Sequence, residues 1–218
     1  MKAGAVSGGR TLEMRSAIVL AAREVLLENG YAGARVEDII KRAGISRPTF
    51  YRHFKDKFEV AAAYHAIARG ESMGPWSRIT EMDFRDIADI RQWLEELLDY
   101  YQGQRSELMV WAEMSAVEPD YLRRVPRLMP DQIDSLAQSI PAFAKARSQA
   151  PAGNPADMKS KPGPVWVEAF LLLEQIALHC TWIVLGRQLI AISLSLDSFA
   201  ERVLRFIERY DDPSPAPR

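Results

Sequence analysis

The sequence of 218 residues contains a single cysteine, Cys180, and three scattered histidines, His53, His65 and His179. One cysteine cannot form an intrachain disulfide, and this composition excludes the usual cysteine-rich zinc sites. The sequence also lacks the glycine-rich loops, the nucleophile elbow and the HExxH pattern that mark common nucleotide-binding and hydrolytic enzymes. We therefore expect no catalytic residues, no metal and no cofactor, and we predict that the chain is not an enzyme.

The sequence also has no uninterrupted hydrophobic run long enough to cross a bilayer, which takes about 18 apolar residues. The most apolar region, residues 165–196, is interrupted by Glu168, Glu174, His179 and Arg187. This pattern predicts a buried helix or an interface helix. The first residues lack the apolar stretch of a signal peptide. Together with the scarcity of cysteine, these features predict a cytoplasmic protein with no membrane partner.

The net charge is close to zero, but the two signs are unevenly distributed along the chain. The 28 basic and 29 acidic side chains leave a formal charge of −1. Residues 1–57 carry 11 basic and 6 acidic side chains, a net charge of +5, and the remainder carries a net −6. A basic head on an acidic body is expected of a protein that touches nucleic acid with one end only.

The most informative stretch is residues 30–57, which has the pattern of a helix-turn-helix. Four apolar residues recur at helical spacing before the turn: Val36, Ile39, Ile40 and Ala43. Gly44 supplies the turn, and Ser46 is a good N-cap for the second helix. Phe50 and Phe54, four residues apart, are expected to anchor that helix to the core. The basic and polar residues between them then face outward, as in a helix that enters the DNA major groove.

At these residues the sequence resembles the N-terminal DNA-binding domain of the TetR (tetracycline-repressor) family of transcriptional regulators. The resemblance covers roughly residues 11–64 and is carried by IVLAAREVLLENGY, VEDIIKRA and AGISRPTFYRHFKDK. It implies an all-α protein, in which a three-helix DNA-binding domain precedes a C-terminal helical domain for ligand binding and dimerisation. It also implies that the following residues contact DNA: Arg35, Arg47, Pro48, Thr49, Tyr51, Arg52, His53 and Lys57.

The residue types at these positions suit DNA independently of the family. Lysine and arginine neutralise phosphates and release counterions, and threonine or tyrosine hydroxyls donate to phosphate oxygens. Arginine also fits a two-pronged contact with guanine O6 and N7. The alternative is that the basic residues form only a solvated face, as on many helices.

We predict the following organisation: a flexible basic arm at 1–10, the DNA-binding domain at 11–56, a ligand-binding and dimerisation domain at 57–212, and a tail at 213–218. Within the larger domain, residues 57–70 are expected to form a linking helix. Residues 148–164 are rich in proline, glycine and lysine and have no hydrophobic face, which predicts a mobile loop.

Large side chains recur at helical spacing in the C-terminal domain, a pattern typical of either a solid core or a ligand cavity. The family resemblance favours a cavity lined by Trp93, Tyr100, Trp111, Met114, Phe170 and Glu174. It also implies that the last two helices pair with a second copy through Ile176, Ile183, Phe199, Val203 and Phe206. The Glu174 carboxylate could bind a ligand, form an ion pair with an arginine or lie at the dimer interface.

The resulting hypothesis is a ligand-responsive, sequence-specific transcriptional regulator, and repression is favoured over activation. It would bind a palindromic operator as a homodimer and be released by a small apolar or amphipathic effector. One alternative is a constitutive or architectural DNA-binding protein without an effector. A more distant alternative is an all-helical enzyme or carrier that binds a small molecule.

Overall fold

A computed structural model of the chain describes residues 4–71, 74–77, 82–119, 121, 129–152 and 160–211. These residues contain helices and no strand, which confirms the predicted all-α class. The helices are, in chain order, α1 (Gly4–Gly33), α2 (Val36–Ala43), α3 (Arg47–His53), α4 (Lys57–Glu71), α5 (Gly74–Ser77), α6 (Ile87–Gly103), α7 (Arg105–Val117), α8 (Met129–Leu136), α9 (Pro141–Arg147), α10 (Pro164–Val184) and α11 (Ile192–Asp211).

The chain forms two compact units, and the division does not follow chain order. The first unit contains Met1–Glu71 and Ser106–Pro126, and the second contains Ser72–Arg105 and Arg127–Arg218. Helices α4 and α7 therefore belong to the same unit as the helix-turn-helix. The sequence instead suggested a boundary at residue 57 and assigned both helices to the C-terminal domain.

The core of the first unit explains why α4 and α7 belong to it. Helix α4 contributes Val60 and Ala61, both fully buried, and α7 contributes Val110 and Met114. The other buried residues of this core come from α1 to α3 and the start of α4: Ile18, Val19, Ala21, Ala22, Val25, Leu26, Tyr31, Ala34, Ile39, Phe50, Phe54 and Phe58, with Tyr64 further along α4. A three-helix head would leave these α4 and α7 side chains in water, so burying them stabilises the larger unit.

Helix α1 begins within the segment for which the sequence predicts a flexible arm. The helix extends back to Gly4 because this segment contains no proline to stop it. The helix contains a kink at Gly30, where φ is 68° and ψ is 172°. This backbone conformation is essentially restricted to glycine. The kink turns the last residues of α1 toward the start of α2.

The second unit is built around α10, whose buried residues lie on more than one face: Val165, Trp166, Ala169, Phe170, Leu172, Leu173, Ile176, Ala177, Cys180, Ile183 and Val184. Phe143 of α9 packs on Phe206 of α11, with ring centroids 4.9 Å apart. Residues 153–159 of the loop predicted at 148–164 and the whole tail predicted at 213–218 lie outside the described residues.

By length and composition alone, α10 is also apolar enough to cross a membrane. Half of its most apolar 18-residue window is buried inside the protein. Core helices of water-soluble proteins have the same properties. The burial agrees with the prediction of a buried or interface helix.

Candidate nucleic-acid interface

Helices α2 and α3 are joined by a tight turn of three residues. Gly44 ends α2 in the left-handed conformation, with φ 64° and ψ 32°, and its N–H bonds to the carbonyls of Ile40 and Lys41. Ser46 caps α3 by accepting a hydrogen bond from the Thr49 N–H at 3.3 Å. These are the roles that the sequence predicted for Gly44 and Ser46. Pro48 lies in the first turn of α3, where a missing N–H costs no helical hydrogen bond.

Helix α3 is anchored to the core by two phenylalanines, as the sequence predicted. Phe50 and Phe54 are 0% and 1% exposed, and their ring centroids lie 6.0 Å apart. Arg15 of α1 holds the end of the helix, because its Nη1 donates to the His53 carbonyl at 2.8 Å and its guanidinium lies 4.1 Å from the Phe54 ring centroid. The orientation of α3 is therefore set by these contacts on the side that faces the core.

The opposite side of α3 presents the residues that the sequence selected for DNA contact. Arg47, Pro48, Tyr51 and Arg52 are exposed, and Thr49 is partly exposed. The Arg47 guanidinium lies 5.6 Å from the Tyr51 ring centroid and forms an exposed ion pair with Glu37 at 3.3 Å. Such surface pairs contribute about 0–1 kcal/mol. Arg47 is thus available to a stronger partner, such as a phosphate or a guanine edge.

Arg35, also selected from the sequence, is exposed and occupies the N-cap position of α2. Its side chain forms no capping hydrogen bond. The side chain therefore carries its charge outward, next to the first turn of α2, where N–H groups without helical partners are found. Both features favour a phosphate at this position.

Two of the selected residues are partly engaged within the protein. The Nε2 atom of His53 is buried without a hydrogen-bond partner, so a DNA contact by this side chain would have to use Nδ1. The Lys57 ammonium donates to the carbonyls of Tyr31 and Ala34, at 2.6 and 3.0 Å. Burial lowers the pKa of Lys57, while the carboxylates of Glu118 and Glu113 oppose that shift. Lys57 has one of its three donors left for a phosphate.

Arg42 is a structural residue that sequence reasoning missed. Its guanidinium bonds to Glu24 at 2.8 Å and to Glu28 at 2.6 Å, which joins α2 to α1. The hydrogen bonds that Arg42 donates to Glu28 and Glu24 raise the pKa of Arg42 above its usual range. The sequence signal is weak, because the acidic partners lie 14 and 18 positions earlier. Arg42 therefore appears in the sequence only as one more basic residue of the head.

Comparison with known proteins agrees with this geometry. Residues 18–64, which include α2, α3 and about half of each of α1 and α4, match the model of a family described as bacterial regulatory proteins, tetR family. This segment of the chain is therefore similar to the TetR family. TetR-family proteins are transcriptional regulators, and this agrees with the prediction that the chain is not an enzyme.

One relative of this segment is the HTH-type transcriptional activator FasR of Mycolicibacterium smegmatis, which is 41% identical over 51 residues. The match covers 23% of this chain and 23% of FasR, so the chain spans about a quarter of the length of this relative. The similarity to FasR therefore concerns the matched segment of this chain.

Two solved structures of transcriptional regulators resemble nearly the whole chain. A TetR-family regulator from Mesorhizobium loti has a TM-score of 0.55 at 16% identity, and the match covers 92% of this chain and 98% of the other. Bacillus subtilis FadR, solved in complex with stearoyl-CoA, has a TM-score of 0.52 at 17% identity, covering 88% and 97%. At these identities, the likeness shows that the fold is shared.

The six residues predicted to line a ligand cavity lie in separate surroundings. Met114 is buried in the core of the first unit, where the ring centroid of Trp111 lies 5.0 Å from that of Tyr64. In the second unit, Trp93 is packed against Trp76, Phe170 stacks on Trp166, and Tyr100 lies against Tyr101. The Glu174 side chain is exposed. Helical spacing could not distinguish these surroundings, because core and cavity walls use the same residue types.

The predicted dimer residues are mostly buried within their own chain. Ile176, Ile183, Val203 and Phe206 are 1–7% exposed, and Phe199 is partly exposed. Four apolar residues on another face of α10 are the exposed ones: Val167, Leu171, Leu178 and Trp182, at 37–47%. Beside this face, α10 and α11 border an open groove of about 910 Å³, which includes Leu171, Gln175 and Arg202.

Proposed function

We propose that this protein is a sequence-specific, ligand-responsive transcriptional regulator that binds a palindromic operator as a homodimer. The observation that carries the proposal is the exposed basic and polar side of α3, opposite two buried phenylalanines. A short helix held rigidly from behind can enter a major groove with its free side facing the bases. In this arrangement bases are contacted by Arg47 and Thr49. Phosphates are bound by Arg35, Tyr51, Arg52 and the third donor of Lys57.

Base contacts and phosphate contacts have different consequences. An arginine that contacts a guanine in two places discriminates by about 1–3 kcal/mol against another base. A phosphate contact adds affinity for every sequence and makes binding sensitive to salt. The proposed roles of Arg47 and Arg52 can therefore be separated by comparing cognate and unrelated DNA.

The test uses the full chain and a duplex selected by the wild-type protein from a random-sequence library, with fluorescence anisotropy as the readout. Arg47→Ala should weaken binding to the selected duplex by about 1–3 kcal/mol and relax its sequence preference at one position. Arg52→Ala should weaken binding to selected and unrelated duplexes alike and reduce the salt dependence. Arg147→Ala, which removes an exposed arginine from α9 in the second unit, is the matched control. Wild-type affinity in the Arg47 variant would refute α3 as the recognition helix.

We place the dimer interface on the exposed face of α10. Its apolar residues, Val167, Leu171, Leu178 and Trp182, form a row that is unusual on the surface of a monomer. Large aromatic and aliphatic side chains of this kind are typical of the centre of an interface. A two-fold dimer would present two α3 helices to successive turns of DNA, about 34–36 Å apart.

The effector site is assigned to the second unit. One observation there favours a ligand: the amide oxygen of Gln132 on α8 is buried without a hydrogen-bond donor, and the residue is 2% exposed. A buried acceptor without a partner costs about 1–3 kcal/mol, and a ligand that donates a hydrogen bond would remove that cost. The apolar side chains around α10 suit the small apolar or amphipathic effector that we expect.

The effector would act by binding more tightly to the conformation that cannot engage the operator. Repression follows most directly, because effector binding then frees the promoter. Stearoyl-CoA, which is present in the FadR complex, is the first probe. A cognate effector should raise the melting temperature and weaken DNA binding by about 1–3 kcal/mol, and Gln132→Leu should diminish both effects. A reporter fused to the bound promoter should rise on addition of effector. If no compound in a broad screen releases the DNA, the protein is a constitutive binder.

A further inference from the structure

The end of α1 is surrounded by polar contacts that come from two other helices of the first unit. We define the junction cluster as Gly30, Tyr31, Lys57, Glu113 and Glu118. Residues 31–34 contact Lys57 of α4 and the carboxylates of Glu113 and Glu118. Neither glutamate lies in the helix-turn-helix, and the DNA-contact residues selected from the sequence did not include them.

Glu113 of α7 contacts the kink of α1 directly. Its Oε2 accepts a hydrogen bond from the Ala32 N–H at 3.0 Å. A Cβ atom placed on Gly30 would lie 2.7 Å from the same oxygen, so the carboxylate occupies the space that only a glycine leaves open. The position of the Glu113 carboxylate therefore depends on the absence of a side chain at Gly30.

Glu118, just beyond the end of α7, accepts a hydrogen bond from the Tyr31 hydroxyl. The Tyr31 ring is 1% exposed and lies 4.4 Å from the Lys57 ammonium. That ammonium in turn holds the carbonyls of Tyr31 and Ala34. The backbone of residues 31–34 is thus attached to α4 through Lys57 and to α7 through Glu113, and the Tyr31 side chain is held by Glu118.

The next residue, Arg35, begins α2, and its carbonyl accepts hydrogen bonds from the N–H groups of Asp38 and Ile39. The position of segment 31–34 therefore sets where α2 starts. Helix α2 carries α3 across the short Gly44 turn, so an error at the junction moves α3 as well. Helix α7 is fixed to α4 by further contacts, since the Tyr64 hydroxyl donates to Glu107 at 3.3 Å.

We propose that Glu113 and Glu118 are positioning residues for sequence-specific DNA binding: they hold the α1–α2 junction so that α3 is presented in the orientation that reads bases. This inference rests on the proposed function, because it assigns the two carboxylates a role in that same DNA interface. Removing either contact loosens α2 and α3 together and leaves the basic side chains in place. Specific binding requires a fixed helix, whereas non-specific attraction to phosphates does not.

The experiment measures two affinities for each variant, one for the selected duplex and one for a scrambled duplex of equal length and composition. Glu113→Ala should weaken binding to the selected duplex by about 5-fold to 150-fold, the usual range for coupled sites. Binding to the scrambled duplex should stay at the wild-type level or rise slightly, because a negative charge is lost. Glu113→Gln keeps an oxygen that can accept from Ala32, so it should recover most of the specific affinity.

Asp99→Ala is the matched control, since it removes an exposed carboxylate from α6 in the second unit. Tyr31→Phe is the second variant; it keeps the buried ring, loses the bond to Glu118, and should also reduce the ratio of specific to non-specific affinity. Equal losses on both duplexes, or a wild-type ratio in Tyr31→Phe and in a folded Glu113→Ala, would overturn the positioning role. If the wild-type protein selects no duplex, the proposed function itself fails, which is a distinguishable result.

Discussion

Two glycines of the first unit have a positive φ, and the cost of replacing each with alanine depends on what surrounds it. Gly30 and Gly44 have nearly equal φ values, 68° and 64°. A Cβ atom on Gly44 would meet nothing within 4 Å, whereas on Gly30 it would lie 2.7 Å from the Glu113 carboxylate. We predict that Gly30→Ala destabilises the protein more than Gly44→Ala.

The magnitudes follow from the two backbone conformations and the one contact. An alanine at Gly44 pays the usual cost of the left-handed region, about 1–2 kcal/mol. Gly30 also has ψ 172°, in the region essentially restricted to glycine, where another residue costs about 1–3 kcal/mol. The Glu113 side chain must then swing away from Ala32, which loses an exposed hydrogen bond of about 0.5–1.5 kcal/mol. The expected total for Gly30→Ala is about 1.5–4.5 kcal/mol.

The assay is urea unfolding followed by circular dichroism, in the wild-type background and in Glu113→Ala. Once Glu113 is truncated, the cost of Gly30→Ala should fall to the backbone part alone, since the carboxylate no longer fills the space. Gly44→Ala should cost the same in both backgrounds, because that site is distant from Glu113 in the hydrogen-bond network. If Gly30→Ala costs the same in both backgrounds, the reasoning from the close contact is wrong.

Three further predictions concern other parts of the chain. Ser46→Ala removes the acceptor for the Thr49 N–H and should cost about 1 kcal/mol in thermal unfolding, and an unchanged melting temperature would contradict the cap. Trp182→Glu on the exposed face of α10 should give a folded monomer by sedimentation, whereas Phe206→Glu, at a 2% exposed site, should unfold the second unit; the reverse pattern would refute the proposed interface. Burial raises the pKa of Cys180 from 9.0 to about 12, so above about pH 9 only the unfolded chain ionises this thiol and stability falls as the pH rises. The stability advantage of wild type over Cys180→Ala should therefore shrink above pH 9, and a constant difference would exclude this cause.

The helix-turn-helix could be predicted because its determinants are local. The turn needs a left-handed residue at Gly44, the cap needs the Ser46 hydroxyl, and the anchors Phe50 and Phe54 are one helical turn apart. Each requirement involves residues within a few positions of one another. The structure confirms each of these features, and the family match covers the same segment.

The second unit could be predicted only as helices, because α10 is apolar on more than one face. Ile176 is 1% exposed and Leu178 is 46% exposed, although both are large aliphatic residues two positions apart. Which face is buried depends on the neighbouring helices, and spacing along one helix contains no information about them. The same reason explains why the cavity and dimer residues selected by spacing lie mainly in the core.

The sequence also could not predict that α7 belongs to the first unit. Glu113 and Glu118 contact residues more than 80 positions earlier, Ala32 and Tyr31. Contacts at such separation leave no pattern in a single sequence. The sequence placed Glu113 among the residues of the ligand-binding body, whereas the structure places it at the end of α1.

The proposed function requires that α3 recognises a defined DNA sequence as part of a two-fold dimer. The most direct test is to incubate the full chain with sheared DNA from its own genome and to sequence the fragments that it retains. We predict strong enrichment of a few sites that share a palindrome, with half-sites about one or two helical turns apart. Uniform retention of all fragments, with no shared motif, would contradict sequence-specific recognition by α3.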